Sequence, residues 1–169
     1  MDHVAEIAVG VATSVATLVI ISLGLAVIFG MMRVINLAHG EFLMLGAFAT
    51  LSGTRAGLPL GVAMVVAALG VGIFGLAVER LLIQHLYGRL ADTMLATWGL
   101  SLILVQVVVY IYGPATQGIA TPLGSVHVGR YSFSQYSLVL IGCAVALLLG
   151  VLAVFTRTRY GLMARATMP

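Results

Sequence analysis

A stretch of 26 residues without a formal charge runs from Ile7 to Met32. A helix needs about 20 apolar residues to cross the hydrocarbon core of a bilayer. Backbone N–H and C=O groups find no water there, so a crossing segment must be a helix or part of a closed barrel. This run and the later charge-free runs predict membrane helices.

The composition points the same way, because 62% of the residues are hydrophobic and only 8% are charged. A soluble globular domain carries roughly 25% charged residues. The net charge of +3 comes from scattered arginines, so no nucleic-acid partner is expected. Cys143 is the single cysteine, which excludes a disulfide or a cysteine metal site within one chain.

We predict an all-α fold, a polytopic bundle of about five transmembrane helices that forms one transmembrane domain over residues 1–169. The second span has to include a polar interruption, because the apolar run from Phe42 to Thr54 is too short to cross alone. The Val126–Val128 alternation predicts a short extended piece in the last connection. The predicted spans are approximately 7–32, 34–54, 56–78, 93–113 and 136–156.

The distribution of arginine predicts the orientation of these spans. With the C-terminus in the cytoplasm, six arginines lie inside and two, Arg55 and Arg130, lie outside, as the positive-inside rule requires. The N-terminus is then outside, residues 79–92 form a cytoplasmic loop and residues 114–135 form an external loop. The N-terminal residues 1–6 lack the basic region of a cleaved signal peptide, so the first helix is expected to stay as an anchor.

The polar interruption after the first span is the main candidate site. Ionisable groups at membrane depth are costly unless they are paired, hydrated or functional. A helix break also exposes backbone groups, which membranes tolerate only against protein or a water-lined cavity. Two readings stay open: an interfacial turn with solvated or paired charges, or part of a substrate pathway. The residues concerned are Asn36, His39, Gly40 and Glu41, after Arg33.

Other chemistry finds little support in the residues. The remaining histidines, His3, His85 and His127, are scattered, and the His-Glu-x-x-His spacing of zinc proteases is absent. No convergent set of catalytic groups is apparent, so neither an enzyme, a metal nor a cofactor is expected. The chain has no lysine and therefore no P-loop, so any ATP must be bound by another polypeptide.

Three stretches carry a family resemblance. Residues 24–47 read GLAVIFGMMRVINLAHGEFLMLGA, residues 86–89 and 95–104 read LYGR and LATWGLSLIL, and residues 156–162 read TRTRYGL. The first closely resembles the signature of branched-chain amino acid ABC permeases. The second is similar to the same family and looks most like its urea-transporting branch. The third resembles the start of the segment that engages the ATPase.

The resemblance implies an importer of branched-chain amino acids, or of urea and short amides, that works by alternating access in the bacterial inner membrane. The implied partners are a second permease subunit, two cytoplasmic ATP-binding subunits and a periplasmic solute-binding protein, all around the lipid bilayer. Residues 157–169 would begin the ATPase-coupling segment, although its arginines can equally be positive-inside anchors. The implied coupling residues are Gly161, Leu162, Ala164 and Arg165.

The chain also departs from the family pattern. Leu90 stands where a proline is common, and the sequence stops at Pro169 where family members continue, so a truncated permease is expected. Three alternatives therefore stay open: a non-functional fragment, a channel or secondary transporter without an ATPase, and a membrane-embedded enzyme. The external loop can be a contact for the binding protein or a simple connector.

Overall fold

The structure is a computed structural model that describes residues 2–32, 34–115, 117–118, 125–128 and 131–157. Within these ranges the chain forms five α-helices, one 3₁₀ helix and a two-stranded hairpin. In chain order they are α1 Asp2–Met32, α2 His39–Arg55, α3 Leu60–Leu81, the 3₁₀ helix Ile83–Leu86, α4 Leu90–Tyr112, β1 Ser125–Val128, β2 Tyr131–Ser134 and α5 Gln135–Arg157.

The helices confirm the predicted all-helical membrane fold. Four of them are long and apolar enough to cross a bilayer, namely Ile7–Gly30 within α1, then α3, α4 and α5. Helix α2 has 17 residues and so measures roughly 26 Å, less than the roughly 30 Å of a hydrocarbon core. The second span, expected from residue 34, is therefore helical only from His39. The orientation of the chain stays a prediction.

The chain divides into two compact units. One contains α1, the hairpin and α5, and in it α1 packs against α5. Among the residues of these two helices whose burial is described, Ala16 and Ala144 are buried, and both have small side chains of the kind that lets membrane helices approach closely. The hairpin is antiparallel, with Ser125 opposite Ser134, and leads directly into α5. β1 confirms the extended piece predicted near Val126.

The other unit contains α2, α3, the 3₁₀ helix and α4. The turn between α2 and α3 is closed by two backbone hydrogen bonds: the Gly57 N–H donates to Thr54 O at 3.1 Å and the Leu58 N–H to Gly53 O at 3.0 Å. Gly57 has a φ of 93°, which suits a residue without a Cβ, and Pro59 starts the next helix. This tight turn makes α2 and α3 antiparallel neighbours.

Close packing follows along the same two helices. A Cβ placed on Gly53 would lie 3.0 Å from the Cβ of Ala63, which is 1% exposed. Farther along, the rings of Phe42 and Phe74 lie 5.8 Å apart. The absence of a side chain at Gly53 thus allows the backbones to approach where α2 meets α3.

Most large apolar side chains of the helices point outward rather than into a core. In α5, for example, the exposed residues include Leu147, Leu148, Leu149 and Leu152. A monomer in water rarely exposes a continuous apolar surface of this size. Lipid or other membrane subunits must therefore cover it.

Candidate functional site

The polar interruption is a short non-helical segment, residues 34–38, between α1 and α2. Asn36 shapes it, because its Oδ1 accepts the Ala38 N–H at 2.9 Å and its backbone O accepts the His39 N–H at 3.3 Å. This local bonding competes with helix and so fixes where α2 begins. Val34 and Ala38 are buried, so the segment is packed against protein.

Thr97 on α4 holds this segment in place. The Leu37 N–H donates to Thr97 Oγ1 at 3.1 Å, while the Thr97 hydroxyl donates to Thr93 O at 2.9 Å. Both threonines are almost completely buried. A backbone donor released by the break thus finds a partner inside the protein, as membrane proteins require.

Glu41 lies one helical turn farther along and also contacts α4. The Ser101 hydroxyl donates to Glu41 Oε1 at 2.7 Å. The second carboxylate oxygen, Oε2, is buried and has no hydrogen-bond partner among the described residues. An incompletely paired carboxylate is costly away from water, and such groups inside membrane proteins commonly serve function.

The four predicted site residues therefore lie together where α2 begins. His39 is half-buried, and Gly40 is exposed, with open space where a side chain would stand. The predicted coupling residues lie outside the described part of the chain, as does Arg33. Those coupling residues are Gly161, Leu162, Ala164 and Arg165.

Sequence reasoning missed Thr97 and Ser101, the partners of the break. A signal for them exists, because Thr93, Thr97 and Ser101 recur every four residues in a mostly apolar helix. Residues with that spacing lie on one face of a helix. Such a polar stripe predicts a face turned toward protein, although it does not say which residues meet it.

A second polar connection joins the other ends of α2 and α4. The hydroxyls of Ser52 and Tyr112 lie 2.5 Å apart, and the Tyr112 ring lies 4.6 Å from that of Phe48. Leu37 and Thr97, Glu41 and Ser101, and Ser52 and Tyr112 are each 60 residues apart in the chain. A constant separation means that the two helices run parallel in one register.

The connection between α3 and α4 carries polar contacts of its own. Tyr87 donates a hydrogen bond of 2.9 Å to Glu79, and Arg89 forms a 2.7 Å ion pair with Asp92. Desolvation raises the pKa of Tyr87 above its ordinary value of 10.0, and the neighbouring Glu79 carboxylate adds to the rise. These contacts stabilise the conformation of the connection between α3 and α4.

No group of three His, Cys, Asp or Glu side chains that could hold a metal ion occurs in the described ranges. The polar groups of the break instead form hydrogen bonds and leave one acceptor vacant. Such a site can bind a polar molecule that carries hydrogen-bond donors.

Long apolar helices, together with a polar break packed against one of them, define a multi-pass membrane protein. The chain belongs to the family described as branched-chain amino acid transport system / permease component, which matches residues 7–169. This membership confirms the family resemblance seen in residues 24–47. The protein is a membrane permease of an ABC transporter, a transport component rather than an enzyme. No curated protein and no solved structure matches the chain.

Proposed function

We propose that the chain is the permease subunit of an ATP-driven importer that moves branched-chain amino acids across the bacterial inner membrane by alternating access. The family description supports the substrate class. Urea or a short amide is the second candidate, because residues 86–89 and 95–104 resemble the urea-transporting branch. Both substrates carry N–H donors.

The proposed partners are a second permease subunit, two cytoplasmic ATP-binding subunits and a periplasmic solute-binding protein. The absence of lysine from the sequence supports separate ATP-binding chains, since a P-loop needs one. The broad apolar faces of the described helices suit contacts with another membrane subunit as well as with lipid. We place the N-terminus outside, the connection at residues 79–92 in the cytoplasm and residues 114–135 outside, where the binding protein would dock.

We propose that the break at Asn36, His39, Gly40 and Glu41 lines the substrate pathway. The observation that carries this proposal is the buried Glu41 carboxylate, of which only one oxygen is paired. An interfacial turn with solvated charges would leave both oxygens in water, and one with paired charges would give both oxygens a partner. A permease gains from a polar group of this kind because the substrate must exchange its water shell for protein contacts on the way across.

The test is transport by the complete complex in proteoliposomes, with radiolabelled leucine and urea as substrates. We expect His39→Ala and Glu41→Ala to reduce uptake at least about tenfold, the loss that follows from one hydrogen bond to a charged group. Co-purification with the ATP-binding subunits should persist. Thr17→Ala is the matched control, because its hydroxyl bonds only within α1.

Each result has a distinct meaning. If the wild-type complex accumulates neither substrate under ATP, the proposed function is wrong. If it transports and both alanine variants transport equally well, the importer stands and the pathway assignment falls.

We also propose that Gly161, Leu162, Ala164 and Arg165 begin the segment that contacts the ATP-binding subunits. The proposal rests on the resemblance of residues 156–162 to the family pattern. Cysteines introduced at positions 162 and 164 should form crosslinks to an ATP-binding subunit in the intact complex. Crosslinks that never appear would favour the reading of these arginines as positive-inside anchors.

A further inference from the structure

Among the described residues, Glu41 Oε2 is the buried side-chain oxygen that has no hydrogen-bond partner. Oε1 accepts the Ser101 hydroxyl at 2.7 Å, whereas Oε2 accepts nothing. A carboxylate can accept several hydrogen bonds, and leaving one oxygen bare in a water-poor site is unfavourable. Oε2 therefore lacks a hydrogen-bond donor.

The start of α2 does not supply this donor. N–H groups at a helix start often bind carboxylates, but four of those here have partners within the break. The N–H groups of Ala38 and His39 donate to Asn36, and those of Glu41 and Phe42 donate to Ala38 O at 3.1 and 3.2 Å. None of these four N–H groups, nor the Ser101 hydroxyl, can satisfy Oε2 without breaking an existing bond.

We propose that Glu41 Oε2 accepts a hydrogen bond from an N–H group of the transported molecule, an ammonium or an amide N–H. This inference rests on the proposed function and specifies the ligand chemistry of the same site. Glu41 as a whole is only partly buried, and the torsion of its carboxyl group is soft. The proposal places the ligand at Oε2 after a rotation of this torsion.

The residue before Glu41 leaves room for such a ligand. Gly40 is exposed, and a Cβ placed there would meet no heavy atom within 4 Å. Ser101 donates to Oε1, so Oε2 is the carboxylate oxygen left without a donor. The Glu41–Ser101 pair thus offers one unpaired acceptor oxygen to a small molecule that carries a hydrogen-bond donor.

The first test is Glu41→Gln in the complete transporter complex. Glutamine keeps the size of the side chain and can still accept from Ser101, but it places an NH₂ donor where Oε2 was. We expect the KM for leucine to rise about tenfold or more, as for the loss of a hydrogen bond to a charged group. Thr17→Ala is the control, since its exposed hydroxyl donates only to Thr13 O within α1 and its loss should leave KM unchanged.

An unchanged KM in a complex that still transports would overturn this inference while the proposed importer function stands. If even the wild-type complex fails to transport leucine and urea, it is the proposed function that fails. The two failures are therefore separable.

A second measurement needs no variant and covers the case in which Glu41→Gln does not assemble. Dicyclohexylcarbodiimide, an apolar reagent for carboxyl groups, is applied to the wild-type complex, and mass spectrometry quantifies the labelling of Glu41 and of Glu79. Leucine or urea should slow the labelling of Glu41 at least about tenfold without affecting Glu79, while 4-methylpentanoate and tetramethylurea, which lack N–H donors, should not.

Protection by leucine alone would identify an ammonium as the donor, and protection by urea would identify an amide. Equal labelling of Glu41 with and without either compound would refute the proposal. Protection by tetramethylurea would also refute it, because shielding would then not depend on an N–H group.

Discussion

Replacing Thr97 by valine tests whether the break is held onto α4 by a hydrogen bond. Valine matches threonine in shape, so the fully buried site stays filled, and only the hydroxyl is lost. The Leu37 N–H, 3.1 Å from Thr97 Oγ1, then loses its partner. The bond that Thr97 donates to Thr93 O also disappears, but this carbonyl belongs to the regular helix ladder.

The expected magnitude follows from this single lost contact. A buried donor left without a partner costs about 1–3 kcal/mol, and hydrogen bonds between membrane helices average about 0.6 kcal/mol with a maximum near 1.7. We therefore expect the free energy of unfolding to fall by about 1–2 kcal/mol, a five- to thirtyfold change in the folding equilibrium.

Trp98 makes the measurement direct, because it is the only tryptophan and adjoins the substituted residue. Unfolding is followed by its fluorescence as the mole fraction of sodium dodecyl sulfate rises in mixed micelles. Thr17→Val is the matched control, since this exposed hydroxyl donates only to Thr13 O within α1. If Thr97→Val destabilises the protein no more than Thr17→Val does, the hydrogen bond to the break contributes nothing and the reasoning is wrong.

Two further predictions concern packing and pH. Gly53→Val should lower the free energy of unfolding by about 1–3 kcal/mol, because its Cβ would press on Ala63, whereas Gly70→Val has open space and should change it far less; equal effects in micelle unfolding would contradict this. Tyr87 should ionise above pH 10.0, since desolvation and Glu79 raise its pKa. Its contribution to stability is then complete below pH 10.0 and is lost as the pH rises through the raised pKa. The difference in ultraviolet titration between the wild type and Tyr87→Phe measures this, and ionisation at or below pH 10.0 would refute it.

The long helices could be predicted from the sequence because a single property, the absence of charge over a sufficient length, decides them. α4 was expected at 93–113 and occupies Leu90–Tyr112, and α5 was expected at 136–156 and occupies Gln135–Arg157. Their ends are shifted by one to three residues, since charged side chains such as Asp92 and Arg157 can extend a helix beyond its apolar part.

The start of α2 was harder to predict, because hydropathy does not register the turn at Asn36. Its Oδ1 accepts the Ala38 N–H and delays the helix to His39. An asparagine three residues before a helix start is a readable local signal. The second span was nevertheless expected from residue 34, because the apolar run from Phe42 to Thr54 is too short to cross the membrane alone.

The partners of the candidate site could not be predicted from local pattern at all. Glu41 and Ser101 are separated by 60 residues, and their contact depends on the register of two helices with a third between them in the chain. Composition identifies Glu41 as costly in an apolar setting, but only the tertiary structure identifies which hydroxyl reaches it. The site residues were thus predictable as a group, and their bonding was not.

The two polar connections between α2 and α4 restrict how these helices can move. Glu41 and Ser52 are 11 residues apart on α2, so the attachments to Ser101 and Tyr112 are separated by roughly 17 Å along the axis. A helix attached at one end can pivot freely, whereas a helix attached at both ends must break one attachment to pivot and both to slide by a turn. Any rearrangement that opens one side of the membrane and closes the other would then carry α2 and α4 as one rigid body, and the sliding surfaces must lie on their other faces.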